Sequence, residues 1–177
     1  MSKLIIISYD LPITLEPNSD QSFLLTPKSH ARTSGLENFY KAQKTVWFGR
    51  PGFNKGEFSP AERKKFAEAY KEKNCYPVYL GKKEHERFLD GFSNRTIWPL
   101  FHYFTQSAIY REELWKAYVK VNRAYAEEVL PHLKAGDRLW IHDYHLMLLP
   151  QMIREQKPGV SIGLFIHVPF PSFEIFR

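Results

Sequence analysis

The residues that most constrain this chain are Leu4-Ile5-Ile6-Ile7, apolar without interruption and mostly β-branched. Successive side chains of a strand face opposite sides of its sheet, so a run apolar at every position needs cover on both faces. That is the setting of a parallel sheet held between two helical layers. Leu11-Pro12 stops the run, and the pattern then recurs. Thr45-Val46-Trp47-Phe48-Gly49 reads as a second strand closed by Arg50-Pro51-Gly52. Tyr76-Pro77-Val78-Tyr79-Leu80 reads as a third, whose proline predicts an edge position or a strand start. Arg138-Leu139-Trp140-Ile141-His142 and Ser161-Ile162-Gly163-Leu164-Phe165-Ile166 complete the set.

Helix patterns lie between these strands. Ser59-Pro60-Ala61-Glu62 predicts a helix start: serine as cap, proline in the first turn, glutamate closing a capping box. That helix is expected to run to about Lys73. Over 112–133, Leu114, Tyr118, Val121, Tyr125 and Val129 recur at steps of three and four, one apolar stripe along an amphipathic helix. Gly136-Asp137 is its exit turn, and a further helix is expected from about Leu146 to Gln156, ended by Pro158-Gly159. Alternation of strand and helix makes this an α/β chain, with a doubly wound, mostly parallel sheet and helices on both faces. The stretch 14–34 is polar, holds Pro17 and Pro27, and has only Phe23-Leu24-Leu25 as an apolar island. It reads as a long, mobile loop.

Composition narrows the class of partner. A chain of 177 residues buries roughly two-thirds of its unfolded surface. No apolar run approaches the ~18 residues that would cross a bilayer, and the amino-terminal run is too short for a signal peptide. Cys75 is the only cysteine, so no disulfide forms within the chain. A cytoplasmic location is expected. The net charge is +6, yet the basic residues alternate with glutamates, as in Glu62-Arg63-Lys64-Lys65 and Lys71-Glu72-Lys73. Mixed charge of this kind marks a solvated helix face, so neither nucleic acid nor a membrane is expected as a partner.

Ligands of open parallel sheets bind beyond the carboxyl ends of the strands. Two strands here end in polar clusters, His142-Asp143-Tyr144-His145 and His167. If those strands are neighbours, Asp143 and His167 face one crevice, where a carboxylate and an imidazole can grip sugar hydroxyls or handle a proton. The alternative is that Asp143 caps the following helix and His145 packs. His142, Asp143, His145, His167 and His102 also make up a nominal metal-ligand set. Adjacent residues on an extended strand point to opposite faces, however, so His142 and Asp143 should diverge, and no metal is expected. Phe92-Ser93-Asn94, Trp98-Pro99 and Phe101-His102-Tyr103 either stack on a sugar ring or form core. In Thr33-Ser34-Gly35-Leu36, a glycine ahead of a helix start lets phosphate oxygens approach backbone N–H groups, the alternative being an ordinary turn. Nothing calls for a cofactor.

Taken together, these clusters resemble the trehalose-6-phosphate synthases, retaining glycosyltransferases of family 20. Leu139-Trp140-Ile141-His142-Asp143-Tyr144-His145-Leu146 resembles the family's W-[IV]-H-D-Y-H-L segment. Ile166-His167-Val168-Pro169-Phe170-Pro171 with Glu174-Ile175-Phe176 resembles H-[IV]-P-F-P-x-x-E-[IV]-F. Gly91-Phe92-Ser93-Asn94 through Trp98-Pro99-Leu100-Phe101-His102-Tyr103 resembles G-F-[SC]-N-x-x-[LI]-W-P-L-F-H-Y. The likeness is specific from about Phe88 onward and rests earlier on Trp47-Phe48-Gly49 and Ser34-Gly35-Leu36.

The resemblance implies a Rossmann-like domain, the first half of a GT-B fold, with residues 1–177 as its incomplete, acceptor-side part. It implies transfer of glucose from UDP-glucose to glucose 6-phosphate, hence a nucleotide sugar and a sugar phosphate as partners. Asp143 would hold acceptor hydroxyls, Trp98 would contact the acceptor, His167 would sit by the donor glucose, and Gly35 would lie near the donor phosphates. The alternative is a catalytically silent, synthase-like binding or regulatory module. Departures from the family pattern motivate it. Asp10 stands where the family carries a phosphate-gripping arginine, Leu89 replaces a tyrosine, Ser34-Gly35 keeps half of a glycine pair, and Arg50 replaces a common tryptophan. The family's donor-diphosphate groups lie beyond the matched motifs, so this polypeptide alone is expected to be inactive. Self-association through an apolar sheet edge is also expected.

Overall fold

In a computed structural model of the chain, residues 2–17, 23–28 and 45–176 are described. β1 (Leu4–Asp10) lies at the middle of a five-stranded sheet, and its apolar run explains why. Ile5, Ile6 and Ile7 are all fully buried, with Ile5 and Ile7 in one core cluster and Ile6 in the other. β1 pairs in parallel with β4 (Thr45–Arg50) on one side and β6 (Arg138–His142) on the other. β5 (Cys75–Pro77) and β7 (Ser161–Phe165) extend the sheet to the order β5-β4-β1-β6-β7, every pairing parallel. The neighbours repeat the two-faced division: Phe48, Leu139 and Ile141 join Ile5 and Ile7, while Trp47 joins Ile6.

Helices close both faces. α1 (Pro60–Glu72) starts at the expected capping box: the Glu62 backbone N–H donates to the Ser59 hydroxyl at 3.3 Å, and the Ser59 N–H donates to Glu62 Oε2 at 2.8 Å. Its buried residues Phe66 and Tyr70 pack in the cluster of Ile6 and Trp47. The other face receives a helical stretch over 82–101 that the sequence patterns did not single out. It comprises α2 (Lys82–Glu86), a π-helical stretch (Arg87–Ile97) and α3 (Trp98–Phe101). α4 (Glu112–Val129) lies on the same face and buries Tyr118, Val121, Tyr125 and Val129 of the expected stripe. α5 (Leu149–Gln156) and the single turn α6 (Phe173–Phe176) follow.

Three expectations need correction. The strand expected over Tyr76 to Leu80 spans only Cys75–Pro77, at the sheet edge, and ends at its proline. The segment read as loop holds a hairpin, β2 (Ile13–Pro17) antiparallel to β3 (Phe23–Pro27). Both prolines close their strands, where no ladder partner is required of them, and Ile13, Leu15 and Leu25 pack against the cluster of Phe66 and Tyr70. The remainder of that segment, 18–22 and 29–34, lies outside the described residues. The helix expected from about Leu146 begins at Leu149, because residues 144–146 form a tight 3₁₀ turn.

A polar group fastens the amino end of the sheet. At the amino end of β1, the buried Asp137 carboxylate accepts from the backbone N–H of Lys3 (3.0 Å) and of Lys134 (2.9 Å). At the edge opposite β5, β7 leaves Leu164 and Phe165 exposed. Among the described residues no helix is long and apolar enough to cross a membrane.

Candidate functional site

The strand order reverses between β1 and β6, since β4 and β5 lie to one side of β1 and β6 and β7 to the other. Crevices form at such reversals, beyond the carboxyl ends of the strands. A cleft of about 1040 Å³ opens there, walled by the ends of β1 and β6, by His167 after β7, and by the β2–β3 hairpin.

Asp143 follows the last residue of β6 and carries φ +74°, ψ 166°. Few non-glycine residues hold such a conformation, at a cost of order 1–3 kcal/mol. It has a structural effect. On a continuing strand His142 and Asp143 would face apart; the turned backbone instead lets both line the cleft, which corrects the expectation that they diverge. Both are buried. Asp143 Oδ1 accepts from the backbone N–H of Tyr144 (3.0 Å) and of His167 (3.4 Å). The two sequence candidates therefore meet on one side of the sheet, and Asp143 also caps the turn that follows it.

The turn is held from behind. Tyr118 of α4 donates its hydroxyl to the Tyr144 carbonyl and accepts from the Met147 N–H. Asn122, fully buried one turn on, donates to the Tyr118 carbonyl (3.0 Å) and to the His145 carbonyl (3.1 Å). An asparagine on a helix's buried face leaves no pattern that would reveal this role.

His142 Nδ1 and His167 Nε2 share a hydrogen bond at 3.1 Å, so one ring donates and the other accepts. Burial, then the neighbouring His167 ring, pull the His142 pKa down to about 4 against the opposing pull of Asp143. His142 is thus neutral near pH 7, which keeps this pair from being two adjacent cations. Among the described residues His142 Nε2 has no hydrogen-bond partner.

A second layer of aromatic groups stands at the end of β1. The Tyr9 ring stacks on His145, with centroids 5.2 Å apart, and on His85 at 5.9 Å. Its hydroxyl hydrogen-bonds His85 Nε2. Burial chiefly, then Asp10, hold the Tyr9 phenol neutral well above its ordinary titration range. Burial chiefly, then Arg50, lower the pKa of His85. Beside them Asp10 makes two ion pairs, Oδ2 with Lys28 Nζ at 3.0 Å and Oδ1 with Arg50 Nη1 at 3.4 Å. Tyr9, His85, Lys28, Tyr118 and Asn122 were not among the sequence candidates, and His142 was named there only in the strand-end cluster and the nominal metal set. Only strand-end position could have suggested Tyr9.

The remaining candidates lie apart. Trp98 is 38% exposed, sits on the His102 ring and approaches Tyr144 at 6.0 Å between centroids, but is not part of the cleft wall. Phe101 beside it is core. Gly35 lies outside the described residues. Among the described residues no three His, Cys, Asp or Glu side chains are arranged to hold a metal ion.

Comparison with known proteins bears on the family and the fold. The family model of glycosyltransferase family 20 matches residues 2–177. The UDP-forming α,α-trehalose-phosphate synthase of Emericella nidulans is 39% identical over 181 residues, covering 99% of this chain and 35% of that protein. Synthase A of Dictyostelium discoideum is 37% identical, covering 99% and 23%. Among solved structures, the α,α-trehalose 6-phosphate synthase of Burkholderia multivorans superposes with a TM-score of 0.76 at 27% identity, covering all of this chain and 35% of that one. The Burkholderia xenovorans enzyme in complex with glucose-6-phosphate gives 0.73 at 26%, covering 98% and 35%. This chain thus spans about a third of the length of such relatives. With the family model matching nearly every residue, the chain belongs to glycosyltransferase family 20.

Proposed function

We propose that this chain is the acceptor-side part of a glucosyltransferase that joins a glucosyl unit from a nucleotide sugar to a sugar acceptor. The observation that carries the reading is the turned backbone of Asp143, which lets its carboxylate, His142 and His167 line one cleft. In this reading the Asp143 carboxylate accepts hydrogen bonds from acceptor hydroxyls, holding the attacking oxygen in place. His167, fixed by its backbone bond to Asp143 and its ring bond to His142, stands beside the transferred sugar as a hydrogen-bonding group. Trp98 borders Tyr144 and serves the acceptor at the rim, and Gly35 serves the donor phosphates. Structures related to this chain have been described with glucose-6-phosphate and with UDP-2-fluoro glucose, which supports a hexose and a nucleotide sugar as the ligand classes.

Departure of a nucleoside diphosphate needs positive charge. The one cation on the described cleft wall is Lys28, and it is already paired with Asp10. The expected outcome is hexose binding without turnover by this polypeptide alone. Ligand-observed NMR titration with hexoses, and a coupled assay for nucleotide release, measure the two parts. Asp143→Asn should abolish binding while leaving the melting curve near native. A folded chain that binds no hexose would refute the proposal, and nucleotide release by the chain alone would refute its inactivity.

A second reading, a silent module that binds sugar without serving transfer, is favoured by Leu89, which faces the cleft without a hydroxyl. Replacing the matching third of the Emericella enzyme with this chain separates the two. A soluble, folded chimera that binds hexose yet never turns over would favour the silent module. Association between copies through the exposed face of β7 belongs to the same proposal, and monomeric sedimentation at every soluble concentration would remove it.

A further inference from the structure

Resting on the reading of the cleft as an acceptor site, we infer that it selects an acceptor hexose that carries no phosphate. Three carboxylates face the cleft, Asp10, Glu16 and Asp143, against Lys28 as the single cation on its described wall. The other cation nearby, Arg50, does not reach the cleft surface. Its side chain is 10% exposed, its Nη1 meets Asp10 Oδ1 at 3.4 Å, and its Nε has no hydrogen-bond partner among the described residues. Asp10 and Arg50 are register partners at the ends of β1 and β4. The Asp10 side chain, 37% exposed, lies on the cleft wall and covers the guanidinium beneath it.

The place an incoming phosphate would take, between Arg50 and Lys28, is therefore filled by the chain's own anion. A phosphate group would have to displace a carboxylate that bridges two cations, and would then meet Glu16 and Asp143 as further like charges. A hexose without phosphate meets no such penalty. Ionised carboxylates accept hydrogen bonds from its hydroxyls, and these charge-assisted bonds are stronger than neutral ones. Leu89 adds an apolar patch to the same wall, suited to the C–H face of a sugar ring and offering nothing to a phosphate. Asp10 is thus the specificity-determining residue, and Lys28 and Arg50 hold its carboxylate in place.

The test is a pair of ligand-observed NMR titrations of the chain, with glucose and with glucose 6-phosphate. Native protein is expected to bind glucose at least as tightly as glucose 6-phosphate. Asp10→Asn should improve glucose 6-phosphate relative to glucose by about tenfold, equal to ~1.4 kcal/mol. Because that variant leaves Arg50 without its counter-charge, the native chain is also titrated at about 20 mM and about 500 mM salt. Screening should raise the relative affinity for glucose 6-phosphate severalfold. Glucose 6-phosphate binding tenfold tighter than glucose to native protein overturns the inference and leaves the glucosyltransferase reading intact. So does a preference that neither salt nor Asp10→Asn alters. Failure of the folded native chain to bind either sugar overturns the acceptor-site reading itself.

Discussion

Gly49 of β4 packs against backbone, and Gly49→Ala tests how tightly β1 and β4 close at the cleft. An added Cβ would lie 2.7 Å from the carbonyl carbon of Asp10, 2.7 Å from the Leu11 nitrogen and 3.0 Å from the Asp10 oxygen. All three are main-chain atoms, so no side-chain rotation relieves the clash. Restoring ordinary contact requires the end of β1 to retreat by roughly 0.7–1 Å, since carbon atoms rest at about 3.5 Å or more. The Leu11 N–H to Arg50 carbonyl bond, now 2.9 Å, would then exceed hydrogen-bonding distance. Overpacking costs about 1–3 kcal/mol and the lost bond about 1 kcal/mol, offset by about 0.4–1 kcal/mol from the stiffer unfolded chain. The net is a loss of about 1–3.5 kcal/mol. For a chain of this size that corresponds to a fall in Tm of about 2–14 °C, read by circular dichroism. Gly56→Ala is the control, because a Cβ there meets nothing within 4 Å. A Gly49→Ala protein melting within about 1 °C of native would refute the argued close approach.

Two further outcomes follow from the site. His142 is held neutral with a pKa of about 4, against about 6.5 in the unfolded chain. Above about pH 6.5 neither state is protonated there and its contribution is constant. Between about 6.5 and 4 the unfolded state takes up the proton first, so stability falls as pH falls, by about 1–2 kcal/mol after allowing for solvent screening. His85 and His132 shift in the same direction, so the measurement is the difference between native and His142→Asn urea midpoints across that range. An identical slope in both would contradict the assignment. At Asp143, Ala should be less stable than Gly by about 1 kcal/mol or more, because only glycine holds φ +74° without cost. Equal denaturation midpoints for the two variants would show that this backbone is not strained.

What the sequence made legible was the buried framework. Uninterrupted runs such as Leu4 to Ile7 specify strands covered on both faces, and Ser59-Pro60-Ala61-Glu62 specifies a helix start through local hydrogen bonds alone. The hairpin was hidden because its strands are short, proline-closed and only half-buried. The helical stretch over 82–101 was hidden for another reason. Its hydrogen bonds reach five residues back, as from the Trp98 N–H to the Ser93 carbonyl, so its buried residues fall out of the usual 3.6-residue rhythm. In the site, Asp143 and His167 were legible as strand-end residues of neighbouring strands. The turn at Asp143 was not, since a residue's departure into positive φ depends on the tertiary bonds from Tyr118 and Asn122 that hold it. The Asp10 ion pairs depend on a register between β1 and β4 that no local pattern states.

Because all five strands run the same way, the polypeptide enters at the foot of the sheet and delivers its chemistry at the top. Seven residues of β1, about 23 Å of extended backbone, separate the Asp137 latch from Asp10. A purification handle, a fluorophore or a sensor-chip linker attached ahead of Lys3 would therefore sit on the far side of the molecule from the opening. Sugars could be delivered to an immobilised chain with the mouth still turned to the flow.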